Sequence, residues 1–157
     1  MAVSMIIGGL LGAIAAYFGG KLDGVIMRIT DMFMAIPETL LALCVVAAMG
    51  ASATSLIVAM TVAAIPGNCR LVRSTVLGIV DTEYVEAARA SGMKNIGIIV
   101  KEIIPNSLGP IIVVSTQGIA NLMLTASSLS YLGMGIQPPN PEWGLSLIHI
   151  SEPTRPY

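Results

Sequence analysis

The residues best placed to do chemistry lie between Asp81 and Pro105, DTEYVEAARASGMKNIGIIVKEIIP. This stretch is amphipathic, rich in helix formers, and more densely charged than the rest of the chain. Glu83 and Glu86 near its start suit the positive end of a helix, and Glu86 with Arg89 has i,i+3 spacing for a surface pair. Ala87, Ala88 and Ala90 leave a low-profile face that suits a groove on another protein. Gly92 breaks the helix, and a second amphipathic piece runs through Ile98, Ile99 and Ile103 until Pro105. Chemistry of this kind is docking, not bond-making. The plainer reading of the same residues is a solvated interhelical loop lying on the membrane surface.

Bond-making chemistry finds little support. No Ser/His/Asp constellation, metal-ligand cluster or pair of carboxylates at catalytic spacing occurs, and no GxxxxGK[ST] phosphate loop is present. Cys44 and Cys69 lack pairing or metal-ligand spacing. Glu38, beside Pro37, is the one acid inside an apolar run, expected about two turns into a helix. A carboxylate at the bilayer centre costs about 2.5–3.5 kcal/mol, so such acids mark transport pathways. Its nearness to Arg28 and Thr30 leaves interfacial water as the competing explanation. Asp31 is expected at the same interface near Arg28. Gln117, Asn121, Ser127 and Ser128 suit hydrogen bonds to neighbouring helices better than a polar route. Gly8 and Gly12 match GxxxG and suggest close helix packing. The ten methionines read as adaptable packing.

The elements that carry these residues follow from composition. Of 157 residues, 55% are hydrophobic and 11% charged, with mean hydropathy +0.84. Soluble domains carry about 25% charged residues, so an ordinary cytosolic domain is excluded, as is a disordered tail. The pattern is all-α and polytopic. A net charge of −1 gives no reason to expect a nucleic-acid partner. A span needs roughly 20 apolar residues. Candidate runs are Ala2–Phe18, Met32–Met49 (interrupted by Pro37 and Glu38), Leu56–Ile65 continuing past Pro66-Gly67 to about Val80, and Ile111–Leu132. The polar residues of the last run suit a helix packed against protein. Lys21 and Arg28 lie between the first two runs, and Arg70, Arg73, Arg89, Lys94 and Lys101 between the last two. Gly50–Ser55 and Gly133–Trp143 carry no Lys or Arg. The positive-inside rule then puts Gly19–Arg28 and Arg70–Lys101 in the cytoplasm and the neutral loops outside.

Glu86-Ala87-Ala88, Gly92 and Ile104-Pro105 resemble the EAA cytoplasmic loop of ABC importer permeases. The resemblance extends through Ala16-Tyr17-Phe18-Gly19-Gly20, Arg28-Ile29-Thr30-Asp31, Arg70-Leu71-Val72-Arg73, Tyr84–Arg89, Ser130-Tyr131-Leu132-Gly133 and Gln137-Pro138-Pro139 to Trp143-Gly144. These motifs are similar to the dipeptide/oligopeptide/nickel branch of that family. Glu102 departs from the general loop pattern, at a position where that branch is itself loose.

The resemblance implies a transmembrane helical bundle of the type I ABC importer permease kind, multi-pass in a bacterial or archaeal cytoplasmic (inner) membrane. It implies three kinds of partner beyond the lipid: a second permease subunit, cytoplasmic ATP-binding subunits, and an extracytoplasmic substrate-binding protein, with a small solute as cargo. Glu86, Ala87, Ala88, Arg89, Gly92 and Pro105 would form the ATPase-coupling loop, within about 81–105. The chain would not itself be an enzyme and would hold no cofactor, because ATP would be bound and hydrolysed in the partner. Peptides, nickel complexes and glutathione all fit the branch as cargo. A membrane scaffold that recruits a cytoplasmic partner without transport is the alternative, and an intramembrane enzyme lacks the residues it needs. The family pattern covers 1–144 as a partial permease domain, expected to be truncated at both ends. The segment 145–157, LSLIHISEPTRPY, breaks that pattern and reads as translated sequencing-adapter material, which long-read resequencing of the locus would decide. His149 and Arg155 accordingly carry no functional or topological weight.

Overall fold

The structure, a computed structural model, describes residues 1–134. The expectations for Gln137-Pro138-Pro139, for most of Gly133–Trp143 and for 145–157 lie outside the described residues. Every regular element among the described residues is helical: α1 (Ala2–Phe18), α2 (Gly20–Met34), α3 (Glu38–Met49), α4 (Ala53–Leu77), α5 (Glu83–Ala90), α6 (Asn95–Ile98), a π-helical segment (Ile99–Ile103) and α7 (Ile104–Tyr131). The all-α class is therefore as expected. Two stretches, Ala53–Leu77 and Asn95–Tyr131, are long and apolar enough to cross a membrane.

The chain divides into two compact units. The first comprises Met1–Ile36 and Ala64–Thr116. Its core joins Ala13 and Ala16 of α1, Val72 and Val76 of α4, Val80 in the turn after α4, Val85 and Ala88 of α5, and Ile98, Ile99 and Ile103. Small residues let α1 approach closely. A Cβ on Gly8 would lie 2.6 Å from the Ile65 carbonyl oxygen, and one on Gly12 would run into the Cys69 carbonyl. At this contact Asn68 Nδ2 donates to Ser4 Oγ at 3.1 Å, whose own hydroxyl donates to the Met1 carbonyl at 2.8 Å. Gly8 and Gly12 thus do serve close helix packing.

The Gly19–Arg28 stretch, expected as a loop, is instead mostly helix α2. Gly19 and Gly20, at φ 60° and 56°, make the reversal between α1 and α2, a conformation costly for residues with a Cβ. The expected Met32–Met49 helix is likewise two helices. Pro37 has no N–H to donate and its ring disfavours helical geometry at Ile36, so α2 stops and α3 restarts at Glu38.

Among the described residues, the second unit comprises Pro37–Ala63 and 117–134. Its core gathers Ala42 and Val46 of α3 with Leu56, Ala59 and Ala63 of α4 and Leu129 of α7. Ser52 Oγ accepts the Ser55 N–H at 3.1 Å, capping the start of α4.

Pro66 does not end α4, which runs on to Leu77 as the long third run suggested. Pro105 also fails to end its helix, contrary to the expected stop. In a regular α-helix its ring would press on the Lys101 carbonyl, and the wider π turn over Ile99–Ile103 moves that carbonyl away. The fourth long helix consequently starts at Ile104, seven residues before the expected Ile111.

Candidate docking loop

The candidate loop is built on α5. Glu83 and Glu86 occupy its first turn and Arg89 its last, each at the end where the helix dipole favours its charge. The Thr82 hydroxyl donates back to the Ile79 carbonyl at 2.6 Å and does not cap the helix. At the other end Gly92 takes φ 79°. The Met93 N–H reaches the Ala88 carbonyl at 3.1 Å and the Gly92 N–H the Arg89 carbonyl at 3.0 Å. This is a Schellman stop, with glycine where the chain turns left-handed and Met93 folded back against the core. The expected break at Gly92 thus has a defined geometry.

Burial separates the proposed coupling residues. Val85 and Ala88 point into the core of the first unit. Glu86, Ala87, Arg89, Ala90, Gly92 and Pro105 are exposed. Ala88 therefore anchors the helix from beneath, and the low-profile outer face consists of Ala87 and Ala90. The expected Glu86–Arg89 pair is not formed. Arg89 instead lies over the Tyr17 ring, its guanidinium carbon 5.3 Å from the centroid. The Tyr17 hydroxyl donates to Asn95 Oδ1 at 3.0 Å, so one side chain at the end of α1 touches both sides of the Gly92 turn.

Two ion pairs secure α2 beside α4. Arg73 grips Asp23 with two bonds, Nε to Oδ1 at 2.5 Å and Nη2 to Oδ2 at 2.6 Å. Arg70 pairs with Asp31, whose partner thus lies on α4. Between these pairs Thr30 Oγ1 lies 3.8 Å from Cys69 Sγ, while also donating to the Ile26 carbonyl at 2.8 Å. The two basic segments of the sequence are thereby joined at one end of the first unit.

Glu38 is exposed and is the first residue of α3, not two turns into a longer helix. The break at Pro37 is the reason. Ser127 and Ser128 in the last run are satisfied locally. Ser127 and Ser128 donate to the Met123 and Leu124 carbonyls at 2.7 and 2.9 Å, the i−4 pattern of hydroxyls inside helices. Gln117 and Asn121 are exposed. Neither neighbouring helices nor a polar route is needed to explain the two serines. Among the described residues, no group of three His, Cys, Asp or Glu side chains is arranged to hold a metal ion.

Sequence reasoning missed Tyr17 and Asn95 as supports of the loop, and Asp23 and Arg73 as its neighbouring clamp. The i,i+3 spacing of Val85 and Ala88 was a legible sign of a buried face. The partners of Arg89 and Arg73 lie 72 and 50 residues away and left no local sign.

The chain is 44% identical over 144 residues to the dipeptide transport system permease protein of Alkalihalophilus pseudofirmus, covering 92% of this chain and 47% of that one. It is 43% identical to the glutathione transport system permease protein of Pectobacterium atrosepticum, with 92% and 48% covered. It is 34% identical to the di/tripeptide transport system permease protein of Pseudomonas aeruginosa, again with 92% and 48% covered. The chain spans about half the length of the curated relatives it matches. The model of the binding-protein-dependent transport system inner membrane component matches residues 8–154. With its apolar helices and this match over nearly its whole length, the chain belongs to that family of multi-pass inner-membrane permease components.

Proposed function

We propose that this chain is part of a permease subunit of an ATP-driven importer of short peptides, glutathione included, and that α5 is the element by which a cytoplasmic ATPase moves it. The observation that carries the reading is the construction of α5. It is anchored from below by Val85 and Ala88, stopped by the Gly92 turn, and presents Glu86, Ala87 and Ala90 outward. Such a helix transmits a push because its underside is fixed to α1 and α4 while its outer face is open. The cargo class draws on the names of the relatives, which are dipeptide, di/tripeptide and glutathione permeases. Nickel, admitted by the motif resemblance, draws no support from those names.

In this reading the importer pairs the chain with a second permease subunit, two ATP-binding subunits and an extracytoplasmic binding protein. ATP is bound and hydrolysed by the partner, with no cofactor on this chain. Glu38, an exposed carboxylate opening an apolar helix, is the candidate for the solute pathway, and Glu38→Gln should slow uptake without affecting assembly.

The test is co-purification of the full-length protein with its ATPase, followed by Glu86→Ala and Gly92→Ala. Loss of association, or of substrate-stimulated ATP turnover, is the expected result. Unchanged association and turnover in both variants would sink the coupling role. A complex that binds the ATPase but never couples ATP to uptake would favour a scaffold.

A further inference from the structure

We propose that Tyr17 is a positioning residue that ties the docking loop to the end of α1, so that movement of α5 is passed to α1 directly. The proposal rests on the coupling reading above and deepens it. Tyr17 occupies the last turn of α1, just before the Gly19-Gly20 reversal. Its ring carries Arg89, at the end of α5, and its hydroxyl holds Asn95, the first residue of α6. These two contacts bracket the Ser91–Lys94 turn, where the Schellman pair and the Ser91 bonds to the Ala87 and Ala88 carbonyls at 3.0 and 2.9 Å all run back to α5. Without the bracket, α5 could tilt about the turn while α6 and the π segment stayed in place.

The contact is also suited to force. Packing of Val85 and Ala88 into the apolar core holds α5 from beneath, through dispersion contacts that carry no preferred direction of their own. A hydrogen bond from Tyr17 to Asn95 and a guanidinium held over a ring both fix direction. Both are on the cytoplasmic side in the positive-inside reading, next to the face that α5 presents. Tyr17 therefore converts a displacement of the loop into one of α1, whose glycine face packs directly on α4.

The experiment uses the full-length permease reassembled in proteoliposomes with its partner permease, ATPase subunits and a binding protein loaded with dialanine. Tyr17→Phe keeps the ring beneath Arg89 and removes only the hydroxyl. It should lower stimulated ATP turnover about threefold to tenfold, the scale of one net hydrogen bond, with basal turnover and ATPase co-purification unchanged. Asn95→Leu should match it, and Asn95→Asp, which keeps an acceptor, should stay near wild type. The Tyr17→Phe/Asn95→Leu double variant should be no worse than either single one. Wild-type stimulation in both single variants, or additive losses in the double variant, overturns the proposal. If Tyr17→Phe does not assemble, Asn95→Leu and Asn95→Asp decide it from the other end of the bond. A wild-type complex that dialanine does not stimulate counts against the coupling reading itself, and the proposal falls with it.

Discussion

Gly92 takes a conformation that costs a residue with a Cβ about 1–2 kcal/mol. Gly92→Ala should therefore weaken the stop of α5, raising hydrogen exchange of the α5 amides by roughly 5- to 30-fold in the full-length protein. Gly92→Asn should recover much of the loss, because asparagine tolerates the left-handed region. Equal exchange in the Ala and Asn variants would show that the backbone angle is not what matters. Gly8 and Gly24 make a second contrast. A methyl on Gly8 meets the Ile65 carbonyl, whereas nothing lies within 4 Å of one on Gly24, inside α2. Gly8→Ala should lower the melting temperature in detergent by an overpacking cost of about 1–3 kcal/mol. Gly24→Ala should raise it slightly, by about 0.4–1 kcal/mol, through lost freedom of the unfolded chain. Two alanines of the same sign would refute the close approach of α1 to α4.

At the scale of elements, α2 separates what a sequence discloses from what it hides. Runs of apolar residues made α1, α4 and the last helix legible, because length and hydropathy are local. A Gly19–Arg28 stretch with Lys21, Asp23 and Arg28 read as a loop because its charges had no visible partners. Asp23 and Asp31 find those partners 50 and 39 residues away, on α4. The bend at Gly92 was legible for the opposite reason, since a glycine states its own conformational freedom. The run-through at Pro105 was hidden because the π turn that permits it is spread over Ile99–Ile103. The two ion pairs also differ in weight. Arg73 and Asp23 are 27% and 19% exposed and doubly bonded, whereas Arg70 and Asp31 are each 51% exposed. Arg73→Ala should destabilise the protein by about 1–2 kcal/mol, and Arg70→Ala by no more than about 1 kcal/mol, in thermal unfolding at moderate salt. Raising the salt should erase the Arg70 effect first, since exposed charges are screened. A larger loss from Arg70→Ala would reverse the assignment of α2's main anchor.

For the molecule as a whole, the bias of Lys and Arg and the ion pairs are independent observations with one consequence. The rule for basic loops assigns Gly19–Arg28 and Arg70–Lys101 to the same side of the membrane. The Asp23–Arg73 pair brings these two segments into contact, and Asp31, three residues beyond the first, pairs with Arg70 of the second, which two segments on opposite sides of a bilayer could not achieve. The same rule puts the neutral Gly50–Ser55 turn, ahead of α4, on the opposite side. In a full-length protein with Cys44→Ser and Cys69→Ala, Lys21→Cys and Lys94→Cys should react with a membrane-impermeant maleimide only from the cytoplasmic face. Ser52→Cys should react only from outside. Labelling of Lys21→Cys and Lys94→Cys from opposite faces would contradict the ion pairs and the charge rule together. Labelling of Ser52→Cys from the cytoplasmic face would mean that α4 does not cross. Either result would remove the geometry that puts α5 within reach of a cytoplasmic ATPase, because the outward face of Glu86, Ala87 and Ala90 has a partner there only if Lys94, four residues beyond α5, is on the same side as ATP.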